Sequence, residues 1–214
     1  MKQLISICLC ATLLLSCKNR ETVTSDNTTM PPATDSVARP RSNENSINPY
    51  ASVDLSPMDM SYFPVDYPKL KIATGTPLAP PLARVIYSRP HLQGRHIFHE
   101  VLKYGEPWRM GANEATELQL FRPATIQGKT IPAGRYILYC IPQPHEWTIA
   151  LNQNTDTWGL QQDASKDVAR FTIPVEQKEQ SLEFYTMVFE PASGGANLVM
   201  AWDNVELRLP LRFN

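Results

Sequence analysis

From Val205 to Phe213 an apolar side chain stands at every odd position, with polar residues or proline between them: Val205, Leu207, Leu209, Leu211 and Phe213 alternate with Glu206, Arg208, Pro210 and Arg212. Successive side chains of a strand point to opposite faces, so this period of two describes a strand with one face on a core and one in solvent. Pro210 has no N–H to give to a ladder, which suits a sheet edge. Shorter apolar or alternating runs cover residues 82–88, 115–121, 135–141, 146–152, 168–175, 183–190 and 197–203. Turn formers stand between them, as in Gln127-Gly128-Lys129, Pro132-Ala133-Gly134 and Ser193-Gly194-Gly195. The helical signal is confined to one or two turns at 97–102, where Ile97, Phe98, Val101 and Leu102 share a face. Roughly eight short strands with no long helical pattern predict an all-β fold. The expected architecture is an antiparallel β-sandwich, immunoglobulin- or transthyretin-like in character, with one short helix.

The N-terminus carries a different signal. Lys2 precedes an uncharged, largely apolar run from Leu4 to Leu15, which has the length of a signal-peptide core and is too short to span a bilayer of ~30 Å as a helix. It closes on Leu14-Leu15-Ser16-Cys17, a sequence that resembles a lipobox. Residues 1–16 are therefore read as a lipoprotein signal peptide and Cys17 as the acylated first residue of the mature chain. Residues 17–54 are rich in Thr, Ser, Asn, Asp and Pro and lack apolar periodicity, the composition of a disordered tether. Residues 55–214 form the expected single domain, and the aromatic, proline-rich stretch 56–68 is expected to pack on it as extended chain. No acidic run follows Cys17, so the expected location is the outer membrane, lipid-anchored and facing the periplasm.

The sequence has four cysteines; Cys8 and Cys10 lie in the signal and Cys17 is the lipid acceptor, leaving Cys140 alone in an apolar run. No disulfide or cysteine metal framework can be built, and Cys140 reads as a buried small hydrophobe. The formal net charge of −1 provides no basic face for nucleic acid. The expected partners are the membrane, through Cys17, and a small polar ligand or an envelope protein.

Several blocks then acquire meaning in combination. These are Ser56-Pro57-Met58-Asp59-Met60, Tyr87-Ser88-Arg89-Pro90, Gly94-Arg95-His96-Ile97-Phe98 and Tyr104-Gly105-Glu106-Pro107-Trp108-Arg109-Met110-Gly111-Ala112-Asn113-Glu114-Ala115-Thr116. They continue with Ile131-Pro132-Ala133-Gly134-Arg135-Tyr136, Glu146-Trp147-Thr148 and Asn152-Gln153-Asn154-Thr155-Asp156-Thr157-Trp158-Gly159. In this order they resemble the domain of unknown function family 2911, exported bacterial proteins often made as lipoproteins. The resemblance spans about residues 55–214 and implies one domain; it implies no reaction and no cofactor.

Among chemistry-bearing residues, His96 and His99 are spaced to share a helical face, but a zinc site needs further ligands and only His91 and His145 remain. A solvated helix turn is the better reading, and no metal set is assigned. Ser88 lacks a Gly-x-Ser-x-Gly elbow, and Pro90 restrains its neighbour Arg89. The stronger candidates are polar: Arg89, Arg95, Arg109, Asn113, Glu114 and Thr116 in loops or at strand starts, then Asn152, Asn154, Asp156 and Trp158 in a second loop. Guanidinium forks, amides, a carboxylate and an indole suit a carboxylate or sugar-like ligand. The binding candidates are Arg89, Arg109, Asn113, Glu114, Asn152, Asp156 and Trp158; no catalytic residue is assigned. Two roles stay open. Arg109 and Glu114 would form a buried pair tying down a loop, with Asn113 and Asn152 bonding backbone, or the cluster would bind ligand. The structural role is expected of Arg109, and the ligand role of Asn152, Asp156 and Trp158. Three functions follow: an anchored binding module, a hydrolase using Glu114 or Asp156 as general base with Arg109 or Arg89 stabilising an oxyanion, or a purely structural envelope component.

Overall fold

A computed structural model describes residues 55–75 and 78–213. The expected signal peptide, Cys17 and the tether to residue 54 lie outside the described residues. Among those described, no helix is long and apolar enough to cross a membrane.

The strands are β1 (Met58–Phe63), β2 (Ala83–Ser88), β3 (Thr116–Leu120), β4 (Ala124–Ile126), β5 (Lys129–Ile131), β6 (Gly134–Pro142), β7 (Glu146–Asn152), β8 (Asp167–Pro174), β9 (Glu176–Ala192) and β10 (Gly195–Arg212). They make two antiparallel sheets in a sandwich-like arrangement, one ordered β1-β2-β3-β6-β7-β8 and the other β5-β4-β10-β9. The mostly β fold expected from the sequence is the fold observed. The core between the sheets takes alternate side chains: Leu118 and Leu120 from β3, Ala169, Phe171 and Ile173 from β8, and Tyr185, Met187 and Phe189 from β9 are all buried. Full burial of one large apolar side chain contributes ~1.5–3 kcal/mol, and β2, β6, β7 and β10 add further buried side chains to the same core. Strand β6 differs in being buried at every position from Tyr136 to Cys140, as an interior strand covered on both faces should be. Burial also pushes the Cys140 thiol pKa well up and leaves it an apolar packing group.

The C-terminal period holds, and β10 shows why it begins where it does. Ala196, Leu198, Met200 and Trp202 are buried at even positions, whereas Val205, Leu207, Leu209 and Leu211 are buried at odd ones. The parity changes across Asp203, whose φ is 53°. There the chain doubles back, so Phe213 N–H donates to Gly194 O over 3.0 Å and a Cβ at Gly195 would run into the Leu211 carbonyl oxygen. Pro210 was expected at a sheet edge, but β10 lies inside its sheet. Its pairing with β4 is the single bridge Arg212 to Thr125, so the ladder runs out beside Pro210 and its missing N–H leaves no gap.

Other differences have similar local causes. The stretch 56–68 is extended as expected over β1, which pairs with β2, but the chain then makes helix α1 (Tyr67–Ala73), which buries no side chain. Strands β4 and β5 are too short for a pattern to register; Gln127 (φ 46°) and Gly128 (φ 80°) form the tight turn between them. At Ile97–Val101 the expected helix is a single π turn closed by Leu102 N–H to Ile97 O at 2.7 Å, with Ile97 and Leu102 buried beneath it.

Candidate functional site

Trp108 pairs with β6: its N–H donates to Cys140 O at 2.8 Å and its carbonyl accepts from Cys140 N–H at 2.9 Å. The chain rejoins the same strand at Thr116, opposite Leu138. Cys140 and Leu138 are next-but-one neighbours on β6, so everything from Arg109 to Ala115 is an excursion out of the sheet. The left-handed residues Met110 (φ 57°) and Asn113 (φ 56°) make that excursion tight. It is pinned at several points. Met110 is fully buried, Thr116 Oγ1 donates to Met110 O at 2.7 Å, and Trp108 Nε1 donates to Gly111 O at 3.2 Å. A Cβ on Gly111 would stand 3.2 Å from Ser88 O, a tight contact that would push the loop away from β2 by a few tenths of an ångström.

The loop after β7 packs on this one. Its root is Asn152, 1% exposed, whose Nδ2 donates to Asp163 O (2.8 Å) and Asp167 Oδ1 (2.7 Å) while its Oδ1 accepts from Asn154 N–H (2.8 Å). Asp156 (φ 59°) and Gly159 (φ 77°) turn the chain back over the first loop. Ala115 N–H donates to Thr157 O at 3.4 Å. Arg109 Nη1 donates to Trp158 O at 3.4 Å, and its guanidinium carbon lies 6.0 Å from the Trp158 ring centroid. That distance is within cation–π range.

Three clefts open around these loops. The first, about 400 Å³, is lined by Arg95 and Arg109, by Trp108 and Trp202, and by the small residues Gly111, Ala112 and Gly159. The two indoles stack at 5.7 Å and 22°. Arg95 is oriented by donation from Nε to Leu92 O (2.8 Å) and from Nη2 to His91 O (2.9 Å). Among the described residues neither Arg95 nor Arg109 has a carboxylate partner, and burial lowers the Arg109 pKa. Partial desolvation without a counter-ion is an arrangement that favours an incoming anion. The second cleft, about 360 Å³, holds Glu114, Glu117, Arg135, Asp156 and Trp158. Arg135 there bridges Glu117 Oε2 (Nε, 2.9 Å) and Asp156 Oδ1 (Nη2, 3.0 Å). The third, about 540 Å³, is lined by Asn154, Thr157, Trp158, Leu160 and Gln161 among others.

The model of the family described as Protein of unknown function (DUF2911) matches residues 79–211. The chain belongs to this family. The matched span contains both loops and every DUF2911 residue named above as lining the clefts. No curated protein and no solved structure matches the chain.

Within this DUF2911 domain the sequence-predicted residues divide. Arg109, Glu114, Asp156 and Trp158 come together around the two loops. Arg89 does not join them: it forms an ion pair with Asp59 (3.3 Å), donates to Tyr185 O (3.3 Å) and lies over the Phe184 ring, lining none of the three clefts. Asn113 supports the excursion by donating from Nδ2 to Ser56 O at 3.4 Å. Asn152, expected as a ligand group, has both amide hydrogens and its oxygen engaged inside the fold. The expected buried pair of Arg109 and Glu114 is absent. Glu114 is exposed and turns into the second cleft, while Arg109 points at Trp158 and the first, because the left-handed residues between them rotate the two side chains apart. Ser88 is fully buried and donates to Met58 Sδ (3.0 Å). Thr116 is likewise buried. His96 is exposed, and no group of three or more His, Cys, Asp or Glu side chains that could hold a metal is found among the described residues.

Trp108 and Trp202 were missed as cleft residues. Trp108 adjoins Arg109 and was legible by proximity; Trp202 arrives from β10 through the fold alone.

Proposed function

We propose that the protein is a binding module of the cell envelope, anchored through an acylated Cys17, whose first cleft takes a small ligand bearing a carboxylate. The observation that carries this reading is the pair Arg95 and Arg109, both without a carboxylate partner among the described residues, on the wall of an open cleft over the stacked Trp108 and Trp202. A planar guanidinium recognises a carboxylate with two parallel donors, and the half-buried Trp108, backed by the buried Trp202, supplies an apolar surface for the rest of the ligand. The volume lies in the ~300–1,000 Å³ range of small-molecule sites.

The anchoring part of the proposal rests on the Leu14-Leu15-Ser16-Cys17 sequence and the polar stretch behind it, which sets the domain on a leash facing the periplasm at the outer membrane. The test of the binding part is a thermal-shift series of the purified chain with carboxylates of graded size. A specific ligand raises the melting temperature with concentration, by RT ln(1 + [L]/Kd) in free energy. The shift is expected to vanish in Arg109→Ala and Arg95→Ala. Equal shifts in the variants and the wild type would contradict the site.

A further inference from the structure

Trp158 is 52% exposed, yet it is not loosely held. Arg109 lies over its ring and bonds its carbonyl, and the flanking left-handed residues Asp156 and Gly159 fix the backbone on either side. An indole that one guanidinium fixes and solvent still reaches is a stacking platform.

The surroundings of that platform are graded. The first cleft presents cations, Arg95 and Arg109. The third shares Gly159 and Leu160 with the first and presents chiefly amides and hydroxyls, from Asn154, Thr157, Gln161 and Gln162, together with the Asp163 carboxylate, which accepts from Ser165 N–H and Oγ. Groups that both donate and accept match hydroxyls, which do the same. The complementary ligand has an anionic end and a neutral, hydroxyl-rich body with an apolar face that can lie on the indole. A pyranose ring answers that description, with its axial C–H groups on one face and hydroxyls around its rim. An extended peptide answers it less well, since it would seek an unpaired strand edge for its main-chain groups, and the third cleft is built from loop.

We infer that this surface binds an acidic glycan, with a uronate-type carboxylate held by Arg95 and Arg109 and the neighbouring sugar stacked on Trp158. The inference rests on the carboxylate reading above and names its ligand class. The test uses the full chain and titrates free galacturonate, a set of uronate-containing oligosaccharides of differing linkage, and neutral oligosaccharides of equal length. At least one acidic oligosaccharide binds roughly tenfold or more tightly than free galacturonate and than its neutral counterpart, as expected when a second, aromatic anchor is engaged. Trp158→Ala removes that advantage, while Trp158→Phe keeps part of it. In the unmutated chain, the acidic oligosaccharide also slows oxidation of Trp158 by N-bromosuccinimide, mapped by mass spectrometry, so the result does not depend on a variant folding. Oligosaccharides no better than galacturonate, neutral sugars that bind as well, or an unprotected Trp158 would each overturn the glycan assignment. If galacturonate still binds in an Arg109-dependent way, the carboxylate site survives that failure; if no carboxylate binds, both readings fall.

Discussion

Gly159 lies so close to Ala115 that a Cβ added to it would stand 2.7 Å from the Ala115 Cβ and 3.2 Å from the Arg109 Cβ. This contact joins the excursion ahead of β3 to the loop after β7 and sets the distance between Arg109 and Trp158. Gly159 also has φ 77°, which L side chains rarely adopt. Gly159→Ala is therefore expected to cost ~2–4 kcal/mol, strain and overlap together. Gly194→Ala has the strained φ of 72° but open space around the new methyl, and should cost only ~1 kcal/mol. Chemical denaturation of the two variants checks the difference; equal losses would mean the loops are not in contact.

Arg109→Ala and Glu114→Ala are each expected to leave stability within about 1 kcal/mol of the unmutated protein, since neither removes a partner from a buried charge. A loss of ~3–5 kcal/mol in either would mean that the two form the buried pair after all. Asp156→Ala should be small as well, because its carboxylate is 73% exposed and its pair with Arg135 faces solvent.

Asn152→Ala behaves oppositely. It deletes three hydrogen bonds inside the fold, one of them to the Asp167 carboxylate, and leaves Asp163 O and Asp167 without that donor. The expected cost is ~2–4 kcal/mol in urea or guanidinium unfolding. A stable Asn152→Ala chain that has lost ligand binding would return Asn152 to the site.

The extent to which this was legible in the sequence follows physical range. Alternation is local, so 205–213 and β7 could be read directly. The parity change in β10 could not, because its cause is the return of Leu211 and Phe213 to Gly194 and Gly195. Glu114 and Arg109 looked like a pair because the sequence shows their charges and not the left-handed turns at Met110 and Asn113. Asn152 looked functional because its partner Asp167 is set beside it by β7–β8 pairing. Arg109, Asp156 and Trp158 stood out as candidates because polar and aromatic residues in loops leave a local compositional mark; Trp202 leaves none.

The tyrosines predict a loss of stability at high pH. Burial first, then its hydrogen bond to Asp167, pushes the Tyr139 pKa from 10.0 up to about 12, and burial raises Tyr87, Tyr136 and Tyr185 as well. A pKa raised in the folded state means the unfolded chain releases its proton first. The contribution is complete below pH 10 and is lost as pH rises toward about 12. Denaturant midpoints measured from pH 9 to 12 should fall across that window, less steeply in Tyr139→Phe. A flat profile would contradict the burial of these hydroxyls.

A ligand carboxylate in the first cleft is expected to meet Arg95 and Arg109 beside Trp158. An ¹⁵N–¹H NMR titration of the chain with galacturonate, following arginine Nε–H and indole Nε1–H resonances, reads that contact. The sequence has four tryptophans. The Arg95, Arg109 and Trp108 signals are expected to move together with one saturation curve while that of Trp147, buried in the core, stays in place. Movement confined to Arg135 or Arg89, or no saturable movement at Arg109, would contradict it.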